Sequence, residues 1–119
     1  MLRILDSGAK PTAVLASNDL TAIGAMGAIS ERGLRVPQDI SVIGFDDIQL
    51  SAFTQPTLTT VSLPRGEIAK AAFQALLHSR EKGSNKPLMG KKYLVQPSMV
   101  LRSSTAPAPA SSCRCPKKT

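Results

Sequence analysis

The 119 residues contain no tryptophan, one tyrosine and three phenylalanines. That scarcity leaves no row of aromatic faces on which nucleic-acid bases could stack, and it makes any core aliphatic and alanine-rich. Histidine occurs once, at His78, and cysteine twice, at Cys113 and Cys115 near the end of the chain. A closed zinc site takes four ligands, so an isolated Cys-x-Cys reads as exposed thiols, and no metal or cofactor is expected. No apolar run approaches the roughly 18–20 residues that a membrane span needs. The opening MLRILDSGAKP is too short and too polar for a secretory signal, so a cytoplasmic location without a membrane partner is expected. There is no G-x-S-x-G elbow and no cysteine with a base beside it. Without a catalytic constellation, the chain reads as a protein other than an enzyme.

Acidic residues are scarce overall, and the formal net charge is +7. Its distribution argues against a nucleic-acid groove. Residues 1–60 carry four basic side chains against six acidic ones. The excess sits in Lys82, Lys86, Lys91, Lys92 and the ending RCPKKT, which reads as a solvated loop and tail.

What remains is an alternating pattern. LRILDS reads as a helical end closed by Gly8. TAVLAS (12–17) is short, apolar and partly β-branched, as a buried strand is. Asn18 then caps a helix over 19–33, in which Leu20, Ile23, Met26 and Ile29 recur at helical spacing. Gly24 and Gly27 weaken that helix by about 1 kcal/mol each relative to alanine, which implies close approach by a sheet or a partner subunit. ISVIGF (40–45) is apolar on nearly consecutive residues, as suits a parallel strand covered on both faces. Residues 48–56 are irregular or a short helical turn. LTTVSL (58–63) is another strand, and Pro64 opens a helix to about residue 81, with Ile68, Ala72 and Leu76 along one stripe. KYLVQP and SMVLRS are two short strand candidates. The composition from Ser103 onward expects a disordered basic tail, which divides the chain into 1–102 and 103–119. The order of elements predicts an α/β fold with a mostly parallel sheet.

Two strand ends carry polar residues. TAVLAS runs into Asn18 and Asp19, and ISVIGF runs into Asp46 and Asp47. In open α/β sheets ligands bind beyond the carboxyl ends of the strands. If the two strands are neighbours, Asn18 and Asp46 can face one crevice, where an amide and a carboxylate suit the hydroxyls of a polyol. Each has a structural alternative. Asn18 serves equally as a helix cap, Asp46 equally as a turn former. Asp19 and Asp47 lean towards structure and are secondary candidates. A Mg²⁺ site for phosphoryl transfer on Asp46 and Asp47 is a further alternative, and it lacks a third ligand.

The stretch ASNDLTAIGAMGAISERGLRVPQDISVIGFDD (16–47), followed by FTQPTLTTVSLPRGEIAKAAFQALL (53–77), closely resembles the effector-binding domain of the lactose/galactose repressor family (LacI/GalR) of bacterial transcription regulators. The resemblance covers about residues 11–102. It implies a periplasmic-binding-protein-like fold of two α/β subdomains with a small effector between them, present here only in part. It implies that Asn18 and Asp46 contact the effector, a sugar or related polar metabolite. It also implies a homodimer whose surface includes Ala22, Ile23, Leu50, Ser51 and Phe53. The strand Thr59 to Ser62 would cross between subdomains, and the helix from Pro64 would belong to the first of them.

Leu63 departs from the pattern, since many family members carry a polar residue there. The resemblance further implies that this chain corresponds to the last third of a repressor and that operator DNA is bound through a headpiece absent from it. A periplasmic sugar-binding protein of a transport system, with the same fold, is the alternative reading.

Overall fold

The computed structural model describes residues 1–81 and 93–108. The loop expected at 82–92 and the basic ending from 109 lie outside the described residues. Two compact units are present, one made of residues 1–62 with the chain from Met99 onward, the other of Leu63–Ser98.

In the first unit, helix α1 (Leu2–Asp6) is followed by strand β1 (Ala13–Leu15), helix α2 (Asp19–Glu31), strand β2 (Ser41–Phe45), a 3-10 turn α3 (Gln49–Ala52) and strand β3 (Thr59–Ser62). Helix α4 (Arg65–Glu81) lies in the second unit, and β4 (Ser98–Val100) completes the sheet. The strand order is β1-β2-β3-β4, and both β1–β2 and β2–β3 pair parallel. The expected alternation and parallel pairing are present. Parallel neighbours need a crossover between them, and α2 supplies it between β1 and β2.

The core lies between α2 and the sheet. Ala22, Met26 and Ile29 of α2 pack with Ala16, Ile40, Val42 and Leu58, and Ile29, Val42 and Leu58 are fully buried. Small residues let the helix sit close to the strands, so an alanine-rich chain still closes a core. Met1, Leu5 and Val14 pack at its margin. An ion pair between Arg32 and Asp6, at 2.7 Å, ties α1 to the end of α2. Gly33 follows with φ +70°, a conformation that glycine adopts without steric cost.

The apolar stripe of α4 is exposed, with Phe73 and Leu76 more than half open to solvent. Two expectations are corrected. No strand forms over residues 93–97, where Pro97 offers no ladder donor. Chain expected to be disordered from Ser103 is instead built into the first unit through residue 106. The Ser104 hydroxyl donates to the Val42 carbonyl at 2.6 Å and accepts from the Thr59 N–H at 2.8 Å. Val42 N–H donates to the Ser104 carbonyl at 2.8 Å. Ser41 and Ala106 exchange two further bonds at 3.1 Å. Residues 103–106 thus form a strap between the starts of β2 and β3, and Ser104 has no exposed surface. Its polar composition satisfies backbone groups inside the fold, which is why composition alone reads it as tail.

Candidate functional site

The carboxyl ends of β1 and β2 lie side by side. Leu15 pairs with Ile43, and Asn18 and Asp46 each follow three residues further along. The condition set by the sequence, that the two strands be neighbours, is met.

Asn18 holds extended backbone, and its side-chain Oδ1 accepts from the Thr21 N–H at 2.8 Å. It is therefore the cap of α2, and that cap engages its oxygen. The amide NH₂ is the group suited to a ligand acceptor.

Asp19 is the first residue of α2 and has no exposed surface. One carboxylate oxygen, Oδ2, accepts from the Ile48 N–H at 2.8 Å and from the Ser51 hydroxyl at 2.6 Å. The other, Oδ1, accepts from the Thr60 hydroxyl. A buried carboxylate is tolerated when it is this fully hydrogen-bonded. Asp19 therefore joins α2, the 46–52 turn and β3 from inside and has no surface to offer a ligand. The strand residue facing it is Gly44, where a Cβ would overlap Asp19 Oδ1. Close approach by the sheet occurs at Gly44, whereas among the described residues nothing outside the helix's own backbone lies within 4 Å of where a Cβ on Gly24 or Gly27 would stand.

Beyond β2 the chain turns sharply. Asp46 has φ +109° and Asp47 φ +51°. Aspartate tolerates the second value as a left-handed residue, whereas strained non-glycine backbone of the first kind costs about 1–3 kcal/mol. Three consecutive amides anchor the turn. Asp46 N–H donates to the Val61 carbonyl at 2.9 Å, Asp47 N–H to the Thr60 hydroxyl at 3.4 Å, and Ile48 N–H to Asp19. The Asp47 carboxylate is held by the Arg102 guanidinium at 2.7 Å, and a second arm of the same guanidinium donates to the Leu58 carbonyl at 2.8 Å. Asp47 is thus tied into the turn by its side chain. Asp46 is partly exposed at the strand end.

Sequence reasoning missed Arg102, Thr60 and Gly44. Arg102 lies 55 positions from Asp47, and no local pattern links them. The glycine in VIGF was the one available signal, since a glycine inside a strand marks close approach.

Among the described residues no group of three or more His, Cys, Asp or Glu could hold a metal ion. Among them no helix is long and apolar enough to cross a membrane.

A second surface lies beside α2. An open groove of about 580 Å³ is lined by Ile23, Met26, Gly27 and Ser30 of α2 and by Thr54 and Pro56. Of the interface residues expected from the sequence, Ile23 lines this groove, and Leu50 and Phe53 are exposed at 50% and 74%. Ala22 and Ser51 are corrected: both are fully buried, Ala22 in the core and Ser51 against Asp19. At the groove mouth Arg35 and Asp39 form a two-pronged pair at 3.0 and 3.2 Å. The Arg35 side chain, and next its N–H, hold the Asp39 carboxyl below the usual carboxylate range.

With this geometry in view, the comparisons with known proteins are informative. A family model described as periplasmic binding protein-like domain matches residues 1–105. The ribose operon repressor of Haemophilus influenzae is 40% identical over 101 residues, 85% of this chain and 30% of the repressor. Among solved structures, a putative LacI-family transcriptional regulator from Sanguibacter keddieii superposes with a TM-score of 0.79 at 36% identity, over 87% of this chain and 39% of that one. The lac repressor dimer bound to operator and the anti-inducer ONPF gives a TM-score of 0.76 at 38% identity, over 87% of this chain and 35% of that one. The chain spans about 30% of the length of the curated relatives it matches.

Proposed function

The chain belongs to the periplasmic-binding-protein-like family, as the effector-binding domain of LacI-type transcriptional regulators, and on that premise we propose that it supplies one wall of a small-molecule site and a self-association surface. The observation that carries the reading is the register of β1 on β2, which sets Asn18 and Asp46 at matching positions beyond adjacent strand ends. A carboxylate accepts from hydroxyls and an amide NH₂ donates to ring or hydroxyl oxygens, so the effector we propose is a sugar or a similarly polar metabolite. Two of the relatives support that class by name, one as a repressor of a ribose operon and one, a LacI-family regulator from Arthrobacter, described in complex with lactose.

In this reading Asp46 and Asn18 contact the effector, while Asp19 and Asp47 hold the turn that carries Asp46. The groove beside α2, with Ile23 on it and Leu50 and Phe53 exposed, takes a second copy. The relative described as a dimer supports this, as does the emptiness around Gly24 and Gly27. Operator contact is assigned to a headpiece outside these residues. Such a regulator works beside its operator, in the cytoplasm. Effector and operator are then coupled reciprocally, by typically 1–3 kcal/mol in systems of this kind.

The test is titration calorimetry of the chain with pentoses, hexoses and purine bases, repeated with Asp46→Ala. A ligand whose affinity falls at least tenfold in the variant supports the assignment. A ligand that binds both proteins equally removes Asp46 from the site.

A further inference from the structure

We propose that Arg102 is a positioning residue for the effector site, acting through Asp47 to fix the backbone conformation in which Asp46 is presented. The inference rests on the reading of Asp46 as an effector contact and adds a residue 56 positions away in sequence.

Asp46 has φ +109°, a value that an L-residue holds only when its surroundings over-determine it. Its own N–H bond to the Val61 carbonyl, 2.9 Å long, fixes one side. On the other side, the next residue is clamped by its side chain. Arg102 Nη2 meets Asp47 Oδ1 at 2.7 Å, while Nη1 meets the Leu58 carbonyl at 2.8 Å. One planar guanidinium therefore joins the turn to the backbone just before β3. A lysine, with a single point charge, does not offer that fork.

Arg102 is itself fixed. Its N–H donates to the Thr59 hydroxyl at 2.9 Å, and the next residues are built between β2 and β3 through Ser104. Both partners of the ion pair are largely shielded, with side-chain exposures of 20% and 25%, so the pair is screened less than a surface one. The path from the strap to Asp46 consists of one ion pair and one peptide unit.

The test uses the full 119-residue chain labelled for NMR, with Arg102→Met as the first variant, because methionine keeps much of the aliphatic stem and removes the fork. Hydrogen exchange at the amides of Asp46, Asp47 and Ile48 is expected to rise at least tenfold, while Val42 and Ile43 in the centre of β2 keep their rates. The HN–Hα coupling and the ¹³Cα shift of Asp46 should move away from their left-handed values. If Arg102→Met does not fold, Asp47→Asn removes the charge alone and should produce the same local signature.

Unchanged exchange at 46–48 in the folded variant overturns the proposal. So does an equal rise at Val42 and Ile43, because Arg102 would then be a general stabiliser. Failure of the effector reading is separable: Asp46→Ala would leave ligand affinity intact in the calorimetry, whatever the Arg102 variants do to these amides.

Discussion

Asp19 and Gly44 occupy one space. The carboxylate of Asp19 fills the place where any side chain at position 44 would begin, and from there it accepts from the turn that follows β2. The strand carrying the effector candidate and the helix capped by its neighbour are thereby made one piece.

Replacing either partner should therefore destabilise the first unit. Asp19→Asn keeps the shape but turns an NH₂ donor towards groups that are themselves donors. It leaves at least one of the Ile48 N–H, Ser51 and Thr60 hydroxyls without a partner, at about 1–3 kcal/mol for each buried group so stranded. Gly44→Ala should cost a similar amount through overpacking, about 1–3 kcal/mol. Urea unfolding reads both. A Gly44→Ala protein as stable as the parent would mean that Asp19 does not sit where the structure has it.

The strap offers a second stability test. Ser104→Ala removes a hydroxyl that serves the Val42 carbonyl and the Thr59 N–H, leaving the latter buried without its acceptor. The expected loss is about 1–3 kcal/mol. Truncation after residue 102 should cost more, because the Val42 N–H also loses its bond to the Ser104 carbonyl. Equal stability of the truncated and full chains would return residues 103–106 to the status of a tail.

These tests bear on how much was legible in the sequence. The strand ISVIGF, the cap at Asn18 and the strand-helix alternation were legible because each is written in neighbouring residues, as burial pattern or capping chemistry. Arg102, Thr60 and Ser104 were not, because their partners lie 13 to 62 positions away in sequence, and periodicity reports only local order. Ala22 and Ser51 misled for a related reason: each is adjacent to an exposed residue, and only the packed fold turns one inward and the next outward.

Self-association should depend on the α2 groove. Gly27→Arg places a charged side chain where nothing lies within 4 Å among the described residues outside the helix's own backbone, and it replaces a poor helix former by a good one. The monomer should gain up to about 1 kcal/mol, while light scattering shows a lower mass at high protein concentration. An unchanged mass would place the contact elsewhere.

The Arg35–Asp39 pair gives a pH signature. Because the folded state holds Asp39 below its ordinary value of 3.8, the stabilisation it contributes is present above that value. It is lost as pH falls through the lowered folded value. An NMR titration of the Asp39 carboxyl should show a midpoint below 3.8, and Arg35→Gln should raise it. Both groups are at the surface, so the effect is confined to the turn between α2 and β2. A midpoint that does not respond to Arg35→Gln would mean that the pair does not persist in solution.

The sharpest separation of fold from function is at Asp46. Its positive φ is a burden on an aspartate and none on a glycine. Asp46→Gly should leave the fold as stable as before or raise its stability by up to about 1 kcal/mol, through relief of the strained backbone offset by a freer unfolded chain. The same variant lacks the carboxylate and should bind effector at least tenfold more weakly, in step with Asp46→Ala. Urea unfolding and calorimetry on one pair of proteins therefore give opposite signs. Loss of stability together with loss of binding would instead make Asp46 a turn former whose carboxylate works inside the fold. Retention of both would leave the aspartate without a role at this strand end.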